Sequence, residues 1–108
     1  MNNIIMENLL WILFAHYLAD YPLQGPFLSE TKGKYFSSLL AHSVIYGLTI
    51  SLCFKFLGVY MVWKALVLII SHMIIDFDKA KNGHKNPKVY LFVDQILHLV
   101  INFILYMY

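Results

Sequence analysis

Residues 66–81 read LVLIISHMIIDFDKAK. The run is apolar on both sides of His72 and Asp76, with none of the alternation that marks a barrel strand, so it reads as helix. His72 and Asp76 stand four residues apart, which places them one turn apart on one helix face. The apolar run extends from Val59 to Phe77. A hydrocarbon core about 30 Å thick needs ~20 apolar helical residues, with a lower limit of roughly 17. Three further runs reach that range: Asn3–Ala19, Ser37–Leu57 and Val89–Tyr108. The breaks between them carry Pro22, Gly25, Pro26 and Gly33, then Gly58, then Asn82-Gly83 and Asn86-Pro87, all turn formers. The expected fold is all-α: a polytopic membrane protein, an antiparallel bundle of four transmembrane helices forming a single domain over residues 1–108, with spans 3–19, 37–57, 59–77 and 89–108.

Composition supports that class and removes others. Of 108 residues, 60% are hydrophobic and 13% charged, against ~45–50% and ~25% in a soluble domain. So small a domain exposes much of its side-chain surface, and this composition does not furnish a water-soluble one. A disordered tail and a coiled coil are excluded. A disulfide scaffold is excluded too, since Cys53 is alone. Nucleic-acid binding is not expected, because the net charge is only +2 and eight Lys are dispersed with no Arg. The first run has no basic leader and no small-x-small cleavage site and carries Glu7, so it reads as a span rather than a signal peptide.

Six of the eight Lys (32, 34, 79, 81, 85 and 88) lie in the first and third loops. By the positive-inside rule, loops 20–36 and 78–88 are expected in the cytoplasm and both termini outside, in the inner membrane of a cell. Tyr21, Tyr35, Tyr60, Trp63, Tyr90, Tyr106 and Tyr108 flank the runs as an interfacial belt.

A charge near the centre of a bilayer costs at least ~2.5–3.5 kcal/mol, so ionisable residues in such runs mark function by default. Of the acidic residues in or at the ends of runs, three stand four residues from a histidine: His16/Asp20, His72/Asp76 and Asp94/His98. The first and third spans head toward the cytoplasm and read His then Asp, while the fourth heads away and reads Asp then His. In all three the Asp is nearer the cytoplasmic face. His42 lies near the start of the second span. Antiparallel packing therefore brings side chains from four helices to one level.

Imidazole and carboxylate without thiolate suit zinc above all, with Mn, Fe or Ni as alternatives. His16, Asp20, His42, His72, Asp76, Asp94 and His98 are the expected ligands. Seven exceed what one zinc takes, so either two ions bind or some Asp fix imidazole tautomers from behind. Asp20 or Asp94 is the expected general base. The expected function is a metal-dependent hydrolase acting on a lipid-like or membrane-proximal substrate at the cytoplasmic side, with one or two divalent ions per chain. Two alternatives stand beside it. One is an oligomeric proton or metal-ion transporter; the other is a small phage- or defence-related structural or interaction protein. Membrane lipid is the expected partner, and a homo-oligomer is open.

These motifs resemble the DUF3307 family of small bacterial and phage membrane proteins. The resemblance rests on His16-x3-Asp20-Tyr21-x2-Gln24, then Lys32, then Leu39-x2-His42, His72-x3-Asp76-x2-Lys79 and Asp94-Gln95-x2-His98. It covers the chain from about residue 10 to the end. The family label supplies no activity; the His/Asp spacing is also similar to that of membrane-bound metal-dependent hydrolases. Gln24 and Gln95 are expected to steady ligands or substrate, and Lys32 and Lys79 to meet an anionic head or simply to set topology. His84 reads as a solvated loop residue. Ser71 is set aside as a nucleophile, because its neighbour His72 points about 100° away around the helix. The Phe27-Leu28 segment reads as a short interfacial cover over the cytoplasmic mouth.

Overall fold

The computed structural model describes residues 3–20, 30, 34–82 and 85–108. Four helices account for nearly all of these: α1 (Asn3–Asp20), α2 (Phe36–Leu57), α3 (Val62–Asn82) and α4 (Pro87–Met107). No strand occurs among the described residues. Gln24, Lys32, His84 and the Phe27-Leu28 segment lie outside them.

Gly58 ends α2. It takes the left-handed conformation (φ 81°), with its N–H on Lys55 O at 3.2 Å and the next N–H, of Val59, on Phe54 O at 2.9 Å. These two bonds form a Schellman motif, which satisfies carbonyls a helix end otherwise leaves bare. The motif uses Val59–Met61 to reverse the chain, so α3 starts at Val62 rather than at the expected Val59. Its other end runs past Phe77 to Asn82. The sequence DKAKN there is made largely of residues that tolerate a helix, and Asn82 Nδ2 bonds Asp78 Oδ1 one turn back at 2.9 Å. Pro87 occupies the first turn of α4, where its missing N–H costs nothing.

Each helix packs against its sequence neighbour, and α1 closes the ring against α4. All four contacts are antiparallel. Asn8 bonds Tyr106 and His16 bonds Gln95 between α1 and α4; Asp20 faces His42 between α1 and α2; Lys79 meets Asp94 between α3 and α4. The α2–α3 pair comes close together at Gly47. A Cβ built there would stand 2.4 Å from Ile69 Cγ1, so the missing side chain sets how closely the helices approach.

The interior divides along the bundle axis. Toward the Gly58 end it is filled by Ile12, Ile50, Phe54, Leu68 and Leu105. Toward the other end it is filled by histidine and aspartate. The exterior is the reverse, with Phe14, Leu48, Phe56, Ile74 and Phe92 well exposed. Helices α2 and α4 are each long and apolar enough to cross a membrane. Asn3, Glu7, Asn8, His16 and Asp20 lower the hydropathy of α1, as Lys64, Asp76, Asp78, Lys79 and Lys81 lower that of α3. The bundle's longest extent is 42 Å, close to the ~40–45 Å of a bilayer with its headgroups.

Candidate metal centre

Six of the seven expected ligands meet around one carboxylate, that of Asp76 in α3. Its Oδ2 lies 3.3 Å from His42 Nε2 and 3.3 Å from His72 Nε2, and its Oδ1 lies 3.6 Å from His98 Nε2. Asp20 Oδ1 lies 3.4 Å from His42 Nε2 and 4.0 Å from His72 Nε2. Asp94 Oδ1 lies 3.1 Å from His98 Nε2. All six side chains are buried. The i,i+4 spacing within α3 and α4 turns each pair inward, and the antiparallel ring sets the pairs at one level.

The imidazoles are stacked. His72 lies between Tyr46 and His98, at ring centroid distances of 4.1 Å and 4.2 Å and interplanar angles of 20° and 25°. His72 is wholly buried, yet neither of its ring nitrogens makes an aligned hydrogen bond among the described residues. A buried polar atom without such a bond is costly, and its position facing two carboxylates suits a cation.

His16, the seventh expected ligand, stands apart, with both nitrogens already engaged. Nδ1 lies 2.7 Å from the Tyr46 hydroxyl and Nε2 lies 2.8 Å from Gln95 Oε1. The amide oxygen of Gln95 can only accept, so His16 Nε2 carries the proton and donates. Nδ1 therefore accepts from the Tyr46 hydroxyl, which in turn accepts from Asn102 Nδ2 at 2.8 Å. At the other end of the chain, Gln95 Nε2 donates to Asp20 Oδ2 at 2.9 Å and to Asp94 Oδ2 at 3.0 Å. This chain of contacts suits His16 as the neutral Nε2–H tautomer.

The consequence is a division of oxygens. Gln95 occupies the Oδ2 atoms of Asp20 and Asp94, and the Oδ1 atoms face histidines. Lys79 Nζ also reaches Asp94 Oδ2, at 3.3 Å. Burial opposes the charge on Lys79, which lies two residues past the expected span, but Asp94 and Asp76 outweigh burial and hold the ammonium above its ordinary range.

Tyr46 and Asn102 are parts of this network that the sequence reading did not assign to the site. Tyr46 stands four residues after His42, the same spacing that marked the His/Asp pairs, and Asn102 stands four after His98. Ser71 is no part of it; its hydroxyl donates back to Leu68 O at 3.3 Å.

Among the described residues, two groups have donor atoms all within 4.8 Å of one another: Asp20, His42 and His72, and His72, Asp76 and His98. Two donors bound to zinc at ~2.0–2.1 Å and a tetrahedral angle stand ~3.3 Å apart. The separations around Asp76 cluster at that length, whereas the Gln95 network keeps true hydrogen-bond lengths of 2.7–3.0 Å. The residues present fit a divalent ion.

Fold and centre together define a helical bundle with an apolar exterior and a buried histidine–aspartate core able to take a metal. The chain belongs to the family described as protein of unknown function (DUF3307), whose profile matches residues 8–108. No curated protein and no solved structure matches it.

Proposed function

We propose that this protein is a membrane-embedded, metal-dependent hydrolase whose four helices all span the bilayer, with the His/Asp end toward the cytoplasm. The observation that carries the metal reading is the spacing of His42, His72 and His98 around Asp76, at 3.3–3.6 Å. Those lengths suit edges of a coordination shell and are long for hydrogen bonds. Charge supports it further. The carboxylates of Asp20, Asp76 and Asp94 are all buried, and a divalent ion would add positive charge among them.

Asp20 Oδ1, His42 Nε2, His72 Nε2 and Asp76 Oδ2 would hold a first ion, zinc by its donor set. His72, Asp76 and His98 form the other group that could hold an ion. A bound ion would supply Lewis-acid polarisation and activate water for attack. Of the two Asp residues expected to act as base, Asp94 is the better placed, since it lines a cavity between α3 and α4. Gln95 and Lys79 steady its far oxygen and leave Oδ1 to act. The apolar filling toward the Gly58 end supports a centre open to one side and so disfavours the transport alternative.

The test is elemental analysis of protein purified without chelator, beside His72→Ala. One or two equivalents of a first-row metal, lost in the variant, is the expected result. Absence of metal from the parent protein defeats the reading.

A further inference from the structure

On α2, Val44, Leu48, Ser51 and Lys55 recur at intervals of four, three and four residues, which sets them on one helix face. With Ala65 and Ile69 of α3 they line a groove of about 260 Å³ between the two helices. Gly47 and Ile69, where the helices come close, belong to its floor. Lys55 and Tyr60 stand at the end nearest the Gly58 turn. The eleven residues from Val44 to Lys55 rise ~16 Å along the helix. That is about half the ~30 Å hydrocarbon core of a bilayer, so the groove is as long as one leaflet is deep.

Three chemistries stand in order along it. Lys55 is exposed, and among the described residues that line the groove it alone carries a charge. One turn further into the span, Ser51 is 6% exposed and its hydroxyl has no hydrogen-bond partner among the described residues. Thr49, on the same helix, satisfies its own hydroxyl by donating to Ile45 O at 2.8 Å. Ser51 does not, and a buried hydroxyl left without a bond is costly. Beyond Ser51 the exposed side chains of Leu48 and Val44 are apolar. A cation, then a hydroxyl donor ~6 Å deeper, then an apolar track match the phosphate, the ester carbonyl and the acyl chain of a glycerophospholipid, taken in that order. Tyr60 supplies the amphipathic ring that suits a headgroup level.

We infer that the α2–α3 groove holds an anionic glycerophospholipid from the leaflet at the Gly58 end. Its phosphate pairs with the Lys55 ammonium, an ester carbonyl accepts from the Ser51 hydroxyl, and one acyl chain lies over Leu48 and Val44 against Ile69. A zwitterionic lipid carries the same phosphate, but its own cation competes with Lys55 for it and meets no carboxylate on the groove walls. Lys55 stands thirteen residues from His42 along α2, a rise of ~20 Å. The head therefore lies at the other end of the bundle from the histidine–aspartate centre, and the lipid is a resident ligand rather than a substrate. This rests on the reading that α2 and α3 span the bilayer, and is independent of the metal.

The experiment takes the whole protein from membranes washed with alkaline carbonate into detergent, and counts bound lipid and metal together by native mass spectrometry. The probes are phosphatidylglycerol, phosphatidylcholine with the same chains, and a diether phosphatidylglycerol, which lacks the ester carbonyls. Phosphatidylglycerol is expected to bind about tenfold more tightly than phosphatidylcholine, the scale of a charged contact. Lys55→Gln should abolish that preference. Ser51→Ala should weaken phosphatidylglycerol about threefold, the scale of one hydrogen bond, and leave the diether lipid unchanged. Ala65→Leu, which fills the groove, should also weaken phosphatidylglycerol. Equal binding of the two phospholipids by the parent overturns the inference. So does a preference that survives Lys55→Gln, which would assign it to the lysines of the first and third loops. Parent-like binding in both Ser51→Ala and Ala65→Leu overturns it as well, as does a dimer that Ala65→Leu dissolves, since a second copy would then fill the groove. Release of the protein by carbonate overturns the membrane placement and this inference together. A parent without metal defeats the hydrolase reading alone.

Discussion

Gln95 holds Asp20 across the seam between α4 and α1: its amide nitrogen donates to Asp20 Oδ2 at 2.9 Å. The same nitrogen donates to Asp94 Oδ2 at 3.0 Å, so one amide sets the orientation of two carboxylates carried by different helices, α1 and α4. Because its oxygen is taken by His16, the amide cannot flip without breaking three bonds.

Gln95→Leu removes both donors while keeping the helix and much of the side-chain volume. Metal affinity is expected to fall about 10–100-fold, the usual effect of removing a group that steadies a ligand. Competition with a calibrated chelator measures it. Helical content by circular dichroism should stay at the parent's level, and a large loss of helix would assign Gln95 to folding instead.

His16 and His72 separate support from ligation. His16 has both nitrogens bonded to protein groups, whereas His72 has neither in an aligned hydrogen bond among the described residues. His16→Ala should therefore retain the parent's metal count at reduced affinity, again by about 10–100-fold. His72→Ala should lose the ion held with His42. Equal loss of metal in the two variants would place His16 among the ligands.

The contrast shows how far the sequence could be read. The His/Asp pairs at i,i+4 and the reversal of their order in α4 placed all seven groups in one buried level, because helix periodicity and antiparallel packing leave little freedom. It did not separate His16 from the other imidazoles, because the division depends on a hydroxyl from α2 and an amide from α4. Tyr46 shares the face of His42, but a tyrosine in an apolar run carries no ligand signal of its own. Lys64 lies outside the two Lys-rich loops. It is 2% exposed, with Nζ donating to Val59 O at 2.8 Å and the Phe54 and Trp63 rings within 6 Å at 5.9 and 5.8 Å. That placement follows from the Schellman turn, which brings the end of α2 over the first turn of α3, and a charge count carries no such information.

Removing metal should destabilise the bundle. An ion bound only by the folded state stabilises it by ~2.7 kcal/mol at one hundred times its dissociation constant. Chelator treatment should lower the unfolding temperature in detergent, and adding zinc back should restore it. Ligating imidazoles must be unprotonated, so metal content should also fall as the pH drops through the imidazole range. An unfolding temperature indifferent to chelator would favour a purely structural polar network.

Gly47 tests the packing that places His42 opposite His72. A Cβ at this position meets Ile69 Cγ1 at 2.4 Å, and Gly47 lies five residues along α2 from His42, with Ile69 three residues before His72 on α3. Gly47→Ala gains helix propensity worth about 0.8–1.0 kcal/mol, yet forces apart two helices that are already in contact. Overpacking of this kind costs ~1–3 kcal/mol, so the net change should be a modest loss of thermal stability. It should also weaken metal binding, because the strain lies between the helices that carry His42 and His72. Ile69→Ala alone leaves a gap and should destabilise as well. The two changes together should recover part of the loss, a coupling expected for side chains in direct contact. Strict additivity in the double variant would mean that the Gly47–Ile69 contact does not set the α2–α3 distance.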